Sequence, residues 1–158
     1  TMGMQPIVGY NFGAQKIDRV KQTLKLGIVS GVVITSSGFF ICELFPHAVS
    51  AIFTDSDHLI DLAVDGLRIT VIMFPFVGAQ IVIGNFFQSI GKAKISIFLS
   101  LTRQLLYLLP CLLLFPNWWG LKGIWISMPV SDALAFITAV ISLIIYIKKV
   151  SKQHPIAE

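Results

Sequence analysis

Four long apolar runs organise the chain, at residues 24–42, 69–90, 95–115 and 123–147. None of them alternates apolar with polar positions, which argues against barrel strands and for helices. About 20 residues at about 1.5 Å each match a hydrocarbon core of about 30 Å, so each run is long enough to span. A shorter run, residues 1–13, reads as the end of a further membrane helix; at about 20 Å it is too short to cross alone. The longest connection, Glu43 to Gly66, carries Leu59, Leu62, Ala63 and Leu67 at 3–4 spacing. That spacing predicts a helix continuing into the second span, with Asp55 or Ser56 as its cap. Residues 148–158 read as a polar tail. The predicted fold class is all-α integral membrane: a polytopic bundle of four full transmembrane helices plus the end of a fifth.

Composition agrees with this pattern. The chain is 55% hydrophobic and 13% charged, where a soluble domain carries about 25% charged residues. The formal charge of +4 alone would suit a nucleic-acid binder, but the positions of the charges argue otherwise. Lys16, Arg19, Lys21, Lys25, Lys92, Lys94, Lys148, Lys149 and Lys152 fall on one side if the four helices alternate. The other side has Arg68 and Lys122, and its long loop carries Glu43, Asp55, Asp57, Asp61 and Asp65. The bias predicts a multi-pass protein of the cytoplasmic membrane with both ends cytoplasmic. The basic balance thus reflects topology and not nucleic-acid affinity. Trp118, Trp119 and Trp125 fit an outer interfacial belt.

Little points to catalysis. Cys42 and Cys111 lie inside apolar runs and read as small packing residues. His47, His58 and His154 fall in connecting or terminal segments, and none pairs with another ligand at helical spacing, so no metal site is expected. A membrane-embedded enzyme needs several His, Asp or Glu at one depth, and only Asp132 is offered. No catalytic residue and no cofactor is predicted. In the first span "GIVSG" (Gly27 to Gly31), Thr35 and Gly38 suit close helix packing. Pro75, Pro110 and Pro129 favour bends within spans.

The polar residues inside the spans are the functional candidates. Gln80, Gly84 and Gln88 form a stripe at i, i+4 and i+8, with Asn85 elsewhere on the circumference. Such amides either join helices or line a water-filled pathway. Ser131, Asp132, Ala135, Thr138, Ala139 and Ser142 give the fourth span a small, polar face. Gln80, Gln88 and Asp132 are candidates for a substrate or ion pathway. Arg103, Gln104 and Asn85 read as structural polar groups. Arg103, within "SIFLSLTRQLLYLLPCLLLF", has three open fates: reaching the inner interface, pairing with Asp132, or bonding to carbonyls and amides such as Gln80, Gln88 or Gln104. Rise per residue puts Arg103 and Asp132 about 10 Å apart in depth, near the limit of an extended pair.

Four stretches in order, "QPIVGYNFGAQ" (Gln5 to Gln15), "NFFQSIGKAK" (Asn85 to Lys94), "LSLTRQLLYLLP" (Leu99 to Pro110) and "GLKGIWISMPVSD" (Gly120 to Asp132), resemble the multidrug and toxic compound extrusion (MATE) family. The resemblance covers nearly the whole chain. It implies the end of the eighth through the twelfth helix of a twelve-helix transporter, hence a C-terminal lobe whose partners are a missing N-terminal lobe and the lipid bilayer. It implies export of small cationic or amphipathic molecules by antiport against H⁺ or Na⁺. Sodium-coupled members carry an acid on the tenth helix where this sequence has Val77, which leans the coupling ion toward H⁺. The alternatives are a lipid-linked sugar flippase of the same superfamily and a membrane-embedded structural or assembly subunit.

Overall fold

A computed structural model describes residues 3–153. Thr1 and Met2 of the expected partial helix, and residues 154–158 of the expected tail with His154, lie outside the described residues. The described elements are helical: α1 (Met4–Gly13), α2 (Ile17–Leu44), α3 (Pro46–Ala51), α4 (Asp57–Val71), α5 (Phe74–Ser89), α6 (Ala93–Leu101), a π-helical segment (Thr102–Leu108), α7 (Leu109–Trp119) and α8 (Leu121–Gln153). The segment from Ala93 to Trp119 runs as one helix. Among the described residues, Ile17–Leu44, Ala93–Trp119 and Leu121–Val150 are long and apolar enough to cross a membrane; α4 and α5 add a fourth if the bent pair is one span.

Three local expectations are refined. The run over 69–90 is broken between Val71 and Phe74 by a 50° bend, at the proline that favoured one. Pro75 stands in the first turn of α5. In an uninterrupted helix its ring would meet the carbonyl of Val71, whereas in a first turn its missing N–H costs nothing. The helix restarts with the Phe76 and Val77 N–H groups donating to the Met73 carbonyl, both at 3.0 Å. Ser56 is the residue at the start of α4, but no side chain caps that end; the Ser56 carbonyl accepts from Leu59 and Ile60 at 3.0 and 2.9 Å, and Asp57 favours the helix start electrostatically. At the far end α8 continues to Gln153, so residues 148–153 of the expected tail extend the helix. Lys148 and Lys149 near its C-terminus suit the helix dipole.

Helix α5 is the centre of the bundle, packed against α1, α2, α6 and α8. Its approach to α2 is backbone-close. A methyl group on Gly78 would collide with the Gly31 carbonyl and the Thr35 hydroxyl, and one on Gly31 would stand 3.0 Å from the Gly78 carbonyl and from Val82. The Thr35 hydroxyl donates to the Gly31 carbonyl at 2.9 Å, so it is satisfied within α2. Small residues here let two helices meet where larger ones would hold them apart; Gly38, in the same stripe, faces open space. The core gathers Val8, Val82, Ile83 and Phe87 in full burial, with Tyr146 edge-on to Phe87 at 5.5 Å.

Two tight turns use glycine at positive φ, Gly91 (φ 74°) between α5 and α6 and Gly120 (φ 54°) between α7 and α8, conformations that glycine adopts without steric cost. A cleft of about 710 Å³ is lined by Gln15, Ile17, Lys92 and Lys149 among others. It places the α1–α2 junction, the α5–α6 turn and the end of α8 at one end of the bundle. At the opposite end, Arg68 stands 3.8 Å from Glu43, both about half exposed. Trp118 and Trp119 are exposed beside the Gly120 turn. The Trp125 indole covers Gly66 of α4, where an added methyl would sit 2.7 Å from Cε2.

Candidate functional site

The polar stripe of α5 forms one wall of a groove of about 260 Å³ lined by Gln80, Ile81, Gly84, Asn85, Gln88, Ser96, Leu99, Ser100, Arg103 and Gln104. The second wall comes from α6 and the π-helical segment. There Ser96, Ser100 and Gln104 repeat the i, i+4, i+8 spacing of Gln80, Gly84 and Gln88, so two polar stripes on adjacent helices face one space. Five sequence candidates therefore share the groove: Gln80, Asn85, Gln88, Arg103 and Gln104. Gln80 is 8% exposed, and its Oε1 is buried with no hydrogen-bond partner. A buried acceptor in that condition lacks the bond it had in water.

Asp132, the sixth candidate, is not part of the lining and connects to the groove through Arg103. The Arg103 Nε donates to Asp132 Oδ1 at 2.9 Å. The Asp132 side chain is 11% exposed and that of Arg103 37%, so the carboxylate is enclosed while the guanidinium borders open space. One turn on, the Tyr107 and Thr138 hydroxyls share a hydrogen bond at 2.8 Å. Helices α7 and α8 turn back on each other at Gly120. Arg103 reaches to a residue closer to that turn and Tyr107 to one farther from it, so the two side chains cross and brace the pair in opposite directions.

Both Arg103 and Tyr107 belong to the π-helical segment, Thr102–Leu108. Pro110, in the first turn of α7, supplies the cause. It has no N–H to bond the Leu106 carbonyl, and its ring crowds that carbonyl. Widening the preceding turn relieves both, as π-bulges do. On α8 the partners stand on a small-residue face. Ser127 and Ser131 are buried and donate to the carbonyls of Gly123 and Met128 at 2.7 and 2.8 Å, so both hydroxyls are satisfied within α8.

The groove offers carboxamides and hydroxyls, which donate and accept, and one guanidinium already held by a carboxylate. No acidic side chain lines it. Among the described residues no group of three His, Cys, Asp or Glu converges, and Cys42 and Cys111 are free thiols. Sequence reasoning passed over Ser96, Ser100 and Tyr107. The two serines carried a signal, their spacing from Gln104. Tyr107 carried none, since a tyrosine in an apolar run has no marked partner.

A profile for the family MatE matches residues 1–113. The multidrug export protein MepA of Staphylococcus aureus (strain MSSA476) is 25% identical over 146 residues, covering 92% of this chain and 31% of MepA. An inward-facing conformation of a multidrug resistance MATE family transporter of the MOP superfamily superposes with a TM-score of 0.88 at 19% identity, covering 94% of this chain and 35% of that one. The outward-facing conformation of such a transporter gives 0.87 at 20% identity, covering 94% and 34%. At such identities the two structures speak for the fold. The chain spans about a third of the length of the relatives it matches.

Proposed function

This chain belongs to the MatE family, and from that premise we propose that it is part of the C-terminal lobe of a multidrug exporter in the cytoplasmic membrane. In this reading α1 ends one helix, and α2, the α4–α5 pair, Ala93–Trp119 and α8 are four spans of a twelve-helix transporter. The Lys-rich end of the bundle, with the C-terminus, lies in the cytoplasm. The protein is a transporter and not an enzyme, and needs no cofactor beyond a coupling ion. Small cationic or amphipathic compounds bind between this lobe and the preceding one. Exchange against H⁺ or Na⁺ drives them out, with H⁺ favoured because Val77 stands where sodium-coupled members carry an acid. A coupling ion shifts inward- and outward-facing states only by binding them unequally, and the bend at Pro75 with the π-helical segment before Pro110 permits the change.

Gln80 and Gln88 serve the pathway, while Asp132 acts through Arg103 to fix the last two spans. The observation that carries the reading is the alignment of 92% of this chain with a multidrug export protein. The experiment is expression of the full-length protein in cells stripped of other exporters. Ethidium accumulation should fall, and should recover when the ion gradients are collapsed. Accumulation equal to that of empty-vector cells, with the protein present in the membrane, would defeat the proposal.

A further inference from the structure

We propose that the α5–α6 groove is a hydrogen-bonding subsite, which takes the uncharged N–H- or O–H-bearing part of an amphipathic ligand with Gln80 as an acceptor. The inference rests on the export reading above. It adds which chemical feature of the ligand this lobe reads.

Three observations carry it. First, the amides are not joining helices. Among the described residues the side-chain hydrogen bonds between helices are Arg103–Asp132 and Tyr107–Thr138, and both tie the π-helical segment to α8. None links α5 to α6, although two polar stripes face each other there. Second, Gln80 lines the groove while its Oε1 is buried without a partner. A ligand N–H or O–H that reaches Gln80 from the groove supplies the bond that this carbonyl lacks. Third, the lining carries no carboxylate, and the Arg103 charge is balanced by Asp132 at 2.9 Å. Recognition here is by hydrogen bond and not by charge. A volume of about 260 Å³ falls just under the about 300–1,000 Å³ of whole ligand sites. The groove fits a fragment of a drug-sized molecule, and the remainder lies outside it.

The test compares two probes that share a positive charge. Ethidium carries two aromatic amines, and tetraphenylphosphonium has no donor at all. Their dissociation constants are measured on the full-length protein in lipid nanodiscs, for wild type, Gln80→Leu and Gln104→Leu. Loss of one hydrogen bond predicts that Gln80→Leu shifts the ethidium-to-tetraphenylphosphonium affinity ratio about fivefold against ethidium. Gln104→Leu, at an exposed position that folding tolerates, should shift it in the same direction by about twofold, and it reads the ratio even if Gln80→Leu fails to assemble. An unchanged ratio in the assembled variants, or equal weakening of both probes, overturns the subsite while leaving the export reading standing. A wild-type protein that binds neither probe overturns both.

Discussion

Removing the guanidinium of Arg103 tests the ion pair that braces the last two spans. Arg103→Leu leaves the Asp132 carboxylate, 11% exposed, without its 2.9 Å partner. Breaking a buried pair from one side costs about 3–5 kcal/mol, because a charge stays buried alone. Arg103 is 37% exposed, so the pair is only partly enclosed, and the lower end, about 3 kcal/mol, is the better figure. Asp132→Leu is milder, about 1 kcal/mol, since the long arginine stem can turn its head to the open groove. With both changes no charge is left unpaired and two leucines pack, so the double variant should cost no more than Arg103→Leu alone. The coupling between the sites is then at least about 1 kcal/mol, above the about 0.3–0.5 kcal/mol scatter of independent sites. The assay is equilibrium unfolding of the full-length protein in lipid for wild type, both single variants and the double. Losses that simply add, or an Arg103→Leu variant as stable as wild type, would refute the brace.

The close packing of α2 on α5 predicts that Gly78→Leu prevents assembly, because its first carbon already collides with the Gly31 carbonyl; a folded yield like that of wild type on size exclusion would contradict this. Tyr107→Phe should cost only about 0.6 kcal/mol, the mean for a hydrogen bond between membrane helices, read as a small shift in the same unfolding assay; a loss as large as that of Arg103→Leu would show that Tyr107 does more than bond Thr138. The charge bias predicts that a cysteine at Asp57 is labelled by an impermeant reagent from outside intact cells and one at Lys92 is not. The reverse pattern would invert the topology.

How far the sequence disclosed this arrangement differs from residue to residue. Gln80, Gly84 and Gln88 were readable as a stripe because one helix period suffices to find them. That Arg103 and Gln104 close the opposite wall depends on the rotation of a second helix, which no local pattern records. For Arg103 and Asp132, rise per residue gave a depth gap of about 10 Å. The pair meets because an arginine reaches toward the hairpin turn and an aspartate stands on a small-residue face that lets it approach. Pro110 announced a disturbance near Arg103, but not that the helix would widen over Thr102–Leu108. Pro75 announced the bend at Met73, whereas the apolar run through 69–90 concealed it, since hydropathy is blind to a change of axis. The Gly27–Gly31 pair was legible as a packing face; its partner, Gly78, became visible only when two helices were brought together.

The proposed function is movement of amphipathic compounds at the expense of an ion gradient. The most direct measurement is ethidium movement in proteoliposomes of the purified full-length protein under an imposed gradient of protons alone or of sodium alone. The account predicts ethidium transport against its own gradient when protons are the driving ion, abolished by a protonophore, with little response to sodium. Transport driven by sodium alone would overturn the assignment of the ion, and no ethidium movement under either gradient would contradict the claim itself.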